Sequence, residues 1–339
     1  MGKVRFAVIG TNFITDWFLE AARKNEEFAL EAVYSRSLER AAQFAQKYGV
    51  RKTYDDLDRM LSDSAIDAVY IASPNTFHTQ QALRAMAHKK HVLVEKPAAP
   101  SEMEFLEMLA ATREHGVALM EAMRPAHSPG LREVKKYIRE VAPVRFARIA
   151  YCQYSSRYDA FKEGRVLNAF DPTLKNGSLM DIGVYCVHVL VSLFGEPGCV
   201  NAQAFQLHNG IDGAGAILAQ YPDMLAELAY SKISNSHSGS ELQGEGGTLL
   251  IDDICNPKEL VLRRRGAAEE QIPIPVTEFG MGAELDTFLR IIRSGSGADE
   301  YQRNTLLTLR VMDEARRQTG LDFTRKPACT AQCKWGDEQ

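Results

Sequence analysis

Short apolar runs at 4–9, 29–34, 66–72, 91–94 and 117–122 alternate with longer segments of helical pattern, and this alternation restricts the fold more than any other feature of the chain. Runs that are apolar on both faces read as buried parallel strands, and parallel neighbours need a crossover of roughly a dozen residues or more. The segments 15–22, 38–48, 79–89 and 102–115 supply those crossovers, the last with Ser101 as its N-cap. The pattern predicts an α/β fold with a doubly wound parallel sheet. The run Val92-Leu93-Val94 leads directly into Glu95-Lys96-Pro97. Proline cannot donate to a sheet ladder, so the strand stops there and delivers Lys96 to the carboxyl edge, where ligands of open α/β sheets sit.

The first strand ends in Gly10-Thr11-Asn12-Phe13-Ile14-Thr15 and a helix follows, which is the opening half of a dinucleotide-binding βαβ unit. Gly10 permits the tight turn, and the first amides of the helix face a pyrophosphate. Asn12 and Thr15 stand where G-x-G-x-x-G has its second and third glycines. Asparagine tolerates positive φ, so Asn12 is expected to serve in that conformation, while Thr15 puts close helix–strand packing in question. After the second strand, where a carboxylate would bind a ribose 2′-hydroxyl, the chain has Ser35-Arg36-Ser37, with Arg40 one turn on. A hydroxyl and guanidinium groups suit a 2′-phosphate, so NADP is expected in preference to NAD. Arg36 stacked on adenine, or lying in solvent, is the alternative.

Beyond residue 122 the alternation ends. A helix over 130–139 leads into strands at 144–154, 200–207, 214–221, 224–232, 240–244, 248–252 and 260–264, with helices at 179–194, 281–293 and 302–319. This predicts a Rossmann domain over 1–123, an α+β domain with an open, mostly antiparallel sheet over 124–325, and a tail over 326–339. A net charge of −4 offers no basic field for nucleic acid. The six cysteines, at 152, 186, 199, 255, 329 and 333, lack zinc-type spacing, and no metal is expected. Cys329 and Cys333 are a candidate pair, against the plainer expectation of reduced thiols. No apolar run reads as a membrane span, and the chain starts in a strand rather than a leader, so a soluble cytoplasmic protein is expected.

Taken in order, the Gly10 turn, Ser73-Pro74-Asn75 with His78, Glu95-Lys96-Pro97, Met120-Glu121-Ala122 and Asp181-Ile182-Gly183-Val184-Tyr185 resemble the glucose–fructose oxidoreductase / inositol dehydrogenase / rhizopine catabolism (Gfo/Idh/MocA) family. The resemblance runs from about residue 4 to 319. The stretch from Asn168 to Tyr185 most resembles the branch with dihydrodiol, xylose and glucose–fructose enzymes. It implies an NAD(P)-dependent oxidoreductase that moves hydride between nicotinamide and a secondary alcohol or its carbonyl partner on a sugar, polyol or cyclic diol. It also implies cofactor contacts from Gly10 to Ile14 and from Ser73, Pro74, Asn75, His78, Glu95 and Lys96. A homodimer, or a dimer of dimers, built on the free sheet face is expected as well.

Asp181, Tyr185 and His188 stand at i, i+4 and i+7, which can share one helix face. Much of the family carries His where Tyr185 stands; a tyrosine there resembles the dihydrodiol branch. A phenol is a poor base at neutral pH unless a cation helps, and Lys96 is that cation if the domains bring it to Tyr185. Asp181 is expected to bind a substrate hydroxyl. The role of His188 stays open between a substrate contact and a core histidine bonded to backbone. Arg124, Arg157, Arg165 and Asn168 lie on segments that face the cleft in relatives. Tyr154, Tyr158 and Phe161 either stack on substrate or pack the core. The competing class is a non-catalytic dinucleotide-binding regulator of the same fold, which loss of the lysine or of the Tyr/His position would favour.

Overall fold

The computed structural model describes residues 2–275 and 280–321; the 326–339 tail and Cys329 and Cys333 lie outside them. The chain begins as alternating strands and helices: β1 (Val4–Ile9), α1 (Phe13–Ala22), β2 (Phe28–Tyr34), α2 (Leu38–Lys47), β3 (Lys52–Tyr54), α3 (Leu57–Leu61), β4 (Ala68–Ile71), α4 (His78–Ala87), β5 (His91–Glu95), α5 (Glu102–His115) and β6 (Leu119–Ala122). The strands form one six-stranded parallel sheet in the order β3-β2-β1-β4-β5-β6. The order reverses between β1 and β4, which opens a crevice at their carboxyl ends. Sequence reasoning misses β3 and α3, which are too short to show a period.

The second half comprises α6 (Pro129–Val141), β7 (Val144–Cys152), α7 (Ser156–Lys162), α8 (Val184–Phe194), β8 (Cys199–Gln206), β9 (Asp212–Gln220), β10 (Leu225–Ser231), β11 (Ser240–Gly244), β12 (Gly247–Ile251), β13 (Leu260–Arg264), β14 (Glu270–Ile272), α9 (Gly282–Ser294) and α10 (Asp299–Thr319). Its eight-stranded sheet runs β14-β13-β12-β11-β7-β10-β9-β8. All its pairings are antiparallel except β7 with β10. One face packs on α6, α8 and α10 in a single apolar cluster. Helix α9 departs from the expected division near residue 123. Its Leu285, Phe288 and Leu289 join the core beneath β1, where Phe288 meets Phe6 edge-on at 6.2 Å between centroids.

The Pro172–Phe194 stretch corrects the expectation that no run is apolar enough to cross a membrane. Its best window has a mean hydropathy of 1.6, yet 78% of that window is buried inside the protein, as for a core helix. The stretch includes a π-helical turn at Leu179–Gly183 ahead of α8. Asp212 fixes the start of that turn by accepting the Leu179 N–H at 2.6 Å. Gly183 lets it lie on β10, since a Cβ there would stand 3.0 Å from the Tyr230 ring. One turn further along, His188 faces α10 rather than the cleft. It is buried, and its Nδ1 lies 3.4 Å from the Thr308 hydroxyl, not against backbone as expected. That hydroxyl gives its proton to the Asn304 carbonyl, so His188 carries its proton on Nδ1 and donates.

The glycine turn also differs in detail from expectation. Gly10 has φ +113°, and a Cβ there would stand 2.7 Å from the Ala72 carbonyl oxygen. Asn12, however, is extended, with φ −99°, and acts as the N-cap of α1. Its side chain accepts from the Ile14 and Thr15 amides and donates to the Ala72 carbonyl at 2.6 Å. A capping asparagine therefore replaces the second glycine by hydrogen bonding, not by positive φ. Thr15 packs fully buried, its hydroxyl satisfied by the Gly10 carbonyl at 3.1 Å.

Gly10→Ala is expected to cost at least about 1–3 kcal/mol through backbone strain and the Ala72 clash. It should also weaken dinucleotide binding, with urea denaturation and cofactor titration as the measurements. A second expectation concerns acid stability. Burial, helped by His127 and Lys135, pushes His188 down to about 3 from the ordinary 6.5. Between those values the unfolded chain binds a proton that the folded chain refuses, so stability falls as pH drops below 6.5, by about 1.4 kcal/mol per unit. Burial pushes Glu121 and Asp212 up to about 7 and about 6, and they act with opposite sign. The check is therefore a difference: denaturant midpoints from pH 7 to pH 4 should fall less in His188→Gln than in the wild type.

Candidate active site

At the crevice between β1 and β4 lies a cleft of about 690 Å³. Gly10, Thr11 and Asn12 line its floor, Ser73 and Pro74 one wall, and Ser35, Arg36, Ser37 and Arg40 its far end. Arg36 stands over the Phe77 ring at 5.6 Å, which fixes the guanidinium at the rim. Arg84, also in the wall, is paired with Asp58 at 2.5 Å. Asn168, from the second half of the chain, also lines this cleft. The cleft fits a phosphorylated dinucleotide on its own features: a turn without Cβ against Ala72, and hydroxyl and guanidinium donors where an acid would repel phosphate.

The reaction end forms where the carboxyl edge of the first sheet meets the turn before α8. Lys96, just past β5, donates from Nζ to Asp181 Oδ1 at 2.8 Å and to the Asp181 carbonyl at 2.6 Å. The same ammonium lies 4.9 Å from the centroid of the Tyr185 ring. The predicted trio thus comes together, with one correction: Lys96 approaches the face of the phenol, and its hydrogen bonds go to Asp181. Arg124 is a further cation whose charge interacts with Tyr185. Burial works against the Arg124 charge, but Tyr185 and Glu284 outweigh it and hold the guanidinium above its usual value.

Lys232, which sequence reasoning passed over as the last residue of a strand, is the second cation of the site. Its Nζ donates to Asp181 Oδ2, so each carboxylate oxygen carries one lysine. The Lys232 side chain is only 4% exposed. Burial, together with Lys96 and Arg157, pushes its ammonium down to about 7. A lysine in an otherwise apolar strand end was the available signal, but its partner lies 51 residues away.

Several expected cofactor residues act behind the cleft. His78 is buried, with Nδ1 2.9 Å from the Pro97 carbonyl and Nε2 2.7 Å from the Ser73 carbonyl, so it ties two cleft loops together. Glu95 is also buried and accepts from the Tyr70 hydroxyl at 2.6 Å; burial raises its pKa. Asn75 donates to the Lys175 carbonyl across the two halves at 3.0 Å. Phe13 is exposed beneath Arg157, 5.5 Å from its ring, and the Ile14 amide is spent on the Asn12 cap. Arg165 forms a surface pair with Glu163. Tyr158, Phe161 and Phe170 stack on one another in a small core, and Tyr154 bonds Asp159. Among the described residues no cluster of His, Cys, Asp or Glu could hold a metal.

Comparison with known proteins agrees with this geometry. Residues 4–123 match the model of an oxidoreductase family with an NAD-binding Rossmann fold, and residues 132–250 match the GFO/IDH/MocA C-terminal domain. The chain is 47% identical over 323 residues to scyllo-inositol 2-dehydrogenase (NADP(+)) IolU of Bacillus subtilis (strain 168), covering 94% of this chain and 98% of that protein. It is 28% identical over 338 residues to mouse trans-1,2-dihydrobenzene-1,2-diol dehydrogenase, with the same coverages. In fold it is similar to KijD10, a 3-ketoreductase from Actinomadura kijaniata, with a TM-score of 0.84 at 22% identity over 94% of this chain and 98% of that one. The cleft, the lysine at the edge of the first sheet and these matches over nearly the whole chain lead to one conclusion: the chain belongs to the Gfo/Idh/MocA family of oxidoreductases, with an NAD-binding Rossmann fold as its first part.

Proposed function

We propose that the protein is an NADP-preferring dehydrogenase of an inositol-like polyol or cyclic diol, in which Lys96 and Tyr185 handle the proton. The observation that carries this reading is the meeting of Lys96 with Asp181 and Tyr185 at the carboxyl edge of the first sheet. The relatives named for scyllo-inositol and for a dihydrodiol support the substrate class. The NADP(+) in the name of the former, with Ser35, Arg36 and Arg40 in the cleft, supports the cofactor.

A bound nicotinamide supplies the hydride acceptor or donor. Tyr185 exchanges a proton with the substrate oxygen. A phenol of ordinary pKa, about 10, needs neighbouring positive charge to release its proton at neutral pH, and Lys96 and Arg124 both lie against this one. Asp181 orients Lys96 and accepts a hydrogen bond from a substrate hydroxyl. A cytoplasmic setting is supported by Cys152, Cys186, Cys199 and Cys255, which are free thiols. Assembly as a dimer is supported by the sheet face turned away from α8. There Phe205, Leu218 and Leu225 are exposed alongside Ala216 and Ala229, interleaved with Asn201, Gln203 and Glu227, a mixed surface that a second copy would cover.

A panel of inositols, sugars and cyclic diols with NADP and NAD, followed by absorbance of the reduced cofactor, tests the reading. Turnover of a polyol or diol, with NADPH bound more tightly than NADH, is the expected outcome. Cofactor binding without turnover of any member would favour the regulator instead. Arg36→Ala should weaken NADPH binding while leaving NADH binding nearly unchanged. Tyr185→Phe and Lys96→Met should each lower turnover about a hundredfold or more with little change in cofactor affinity. Their double mutant should lose less than the product of the two, because the pair works as a unit. Light scattering that reports a stable monomer at micromolar concentration would refute the dimer.

A further inference from the structure

The Asp181 carboxylate is gripped from both sides of the molecule. Lys96, from the first sheet, takes Oδ1 and the main-chain carbonyl; Lys232, from the second sheet, takes Oδ2. A carboxylate held through one oxygen alone still turns about its terminal torsion, which is broad and two-fold. A donor on the other oxygen removes that freedom. Lys232 is well fixed for the task. Its N–H donates to the Gly213 carbonyl at 2.9 Å, its carbonyl accepts from Ser155 at 2.9 Å, and its ammonium stands 5.7 Å from the centroid of the Phe170 ring.

Stability alone does not account for such a residue. A buried ion pair contributes little compared with apolar side chains of similar volume, and what it does contribute is a defined orientation. We propose that Lys232 is a positioning residue of the active site, which locks the Asp181 carboxylate in the one orientation that holds Lys96 over Tyr185 and meets the substrate hydroxyl. This rests on the reading of Lys96, Asp181 and Tyr185 as the reaction centre.

The arrangement has an electrostatic consequence. The charged groups facing Lys232 are Lys96 from the end of β5, Arg157 from α7 and Asp181 from the turn before α8. Burial and the two cations favour its neutral form, and Asp181 opposes them. The contact with Asp181 keeps the ammonium a donor to Oδ2.

The full-length enzyme, with NADP and the panel member turned over fastest, provides the test. Lys232→Met is expected to lower kcat/KM roughly tenfold or more, the scale of coupling within one ion-pair network. NADP affinity should be preserved while kcat carries the loss. Lys232→Arg, which keeps a charged donor, should recover part of the rate. Adding Lys232→Met to Asp181→Asn should cost nothing further, since the lysine acts through that carboxylate. Unchanged kcat/KM in Lys232→Met would overturn the proposal, as would losses that multiply in the double mutant. If Lys232→Met fails to bind NADP, Lys232→Gln decides: a lowered kcat/KM at intact NADP affinity supports the proposal, and a wild-type kcat/KM overturns it. Near-normal turnover in Lys96→Met and Tyr185→Phe would instead refute the reaction centre itself. Large losses in those two beside a wild-type Lys232→Met would refute only the role of Lys232.

Discussion

The Asp181 carboxylate is the joint on which the site depends. It lies on a π-helical turn of the second half of the chain and carries one lysine from each sheet. Each lysine alone would be a partly or wholly buried cation without compensation, and burying an isolated charge is among the most costly things a fold can do. The carboxylate offsets both at once, and its bonds from Lys96 tie the two halves of the chain together there. The same joint places the ammonium of Lys96 over Tyr185. Structure and chemistry share one constraint.

Around that joint the protein arranges several ionisable groups away from water. Glu95, Glu121 and Glu284 are all buried, and burial raises the pKa of each. Glu95 and Glu121 have hydrogen-bond donors, from Tyr70 and Lys96 in one case and from Ala98 and Thr305 in the other. Glu284, on the first turn of α9, lies in the field of Arg124. Arg124, beside Tyr185, thus has Glu284 and Glu95 in its neighbourhood. Helix α9 explains how an acid from late in the chain reaches this place: its apolar residues return to the core beneath the first sheet.

Rigidity at the cleft comes from small ties between loops. His78 bridges the segments after β4 and β5, and Asn12 pins the helix start to the end of β4. Asn75 and the Lys175–Glu104 pair cross from one half of the chain to the other. A site that must hold a hydride donor and acceptor in near-attack geometry needs such support, because small displacements at the reacting atoms cost large factors in rate.

The sequence by itself determined what rests on periodicity, on single-residue conformational rules and on linear motifs. Apolar runs spaced by helices dictate a parallel sheet, Gly10 dictates a tight turn, and Pro97 ends β5 and leaves Lys96 at its edge. The lack of an acid after β2 and the spacing from Asp181 to Tyr185 are equally local. Tertiary structure alone decided which of these residues meet. His188, three residues past Tyr185 in α8, is left to Thr308 of α10 by the packing of the two helices. Tolerance of positive φ suits Asn12 to the turn, but the fold uses its side chain as a cap, since a carbonyl acceptor and two amides stand within reach. Lys232 and Arg124 join the site because Coulomb attraction and the demand to compensate buried charge act between residues distant in sequence, and only the packed chain brings those residues within range.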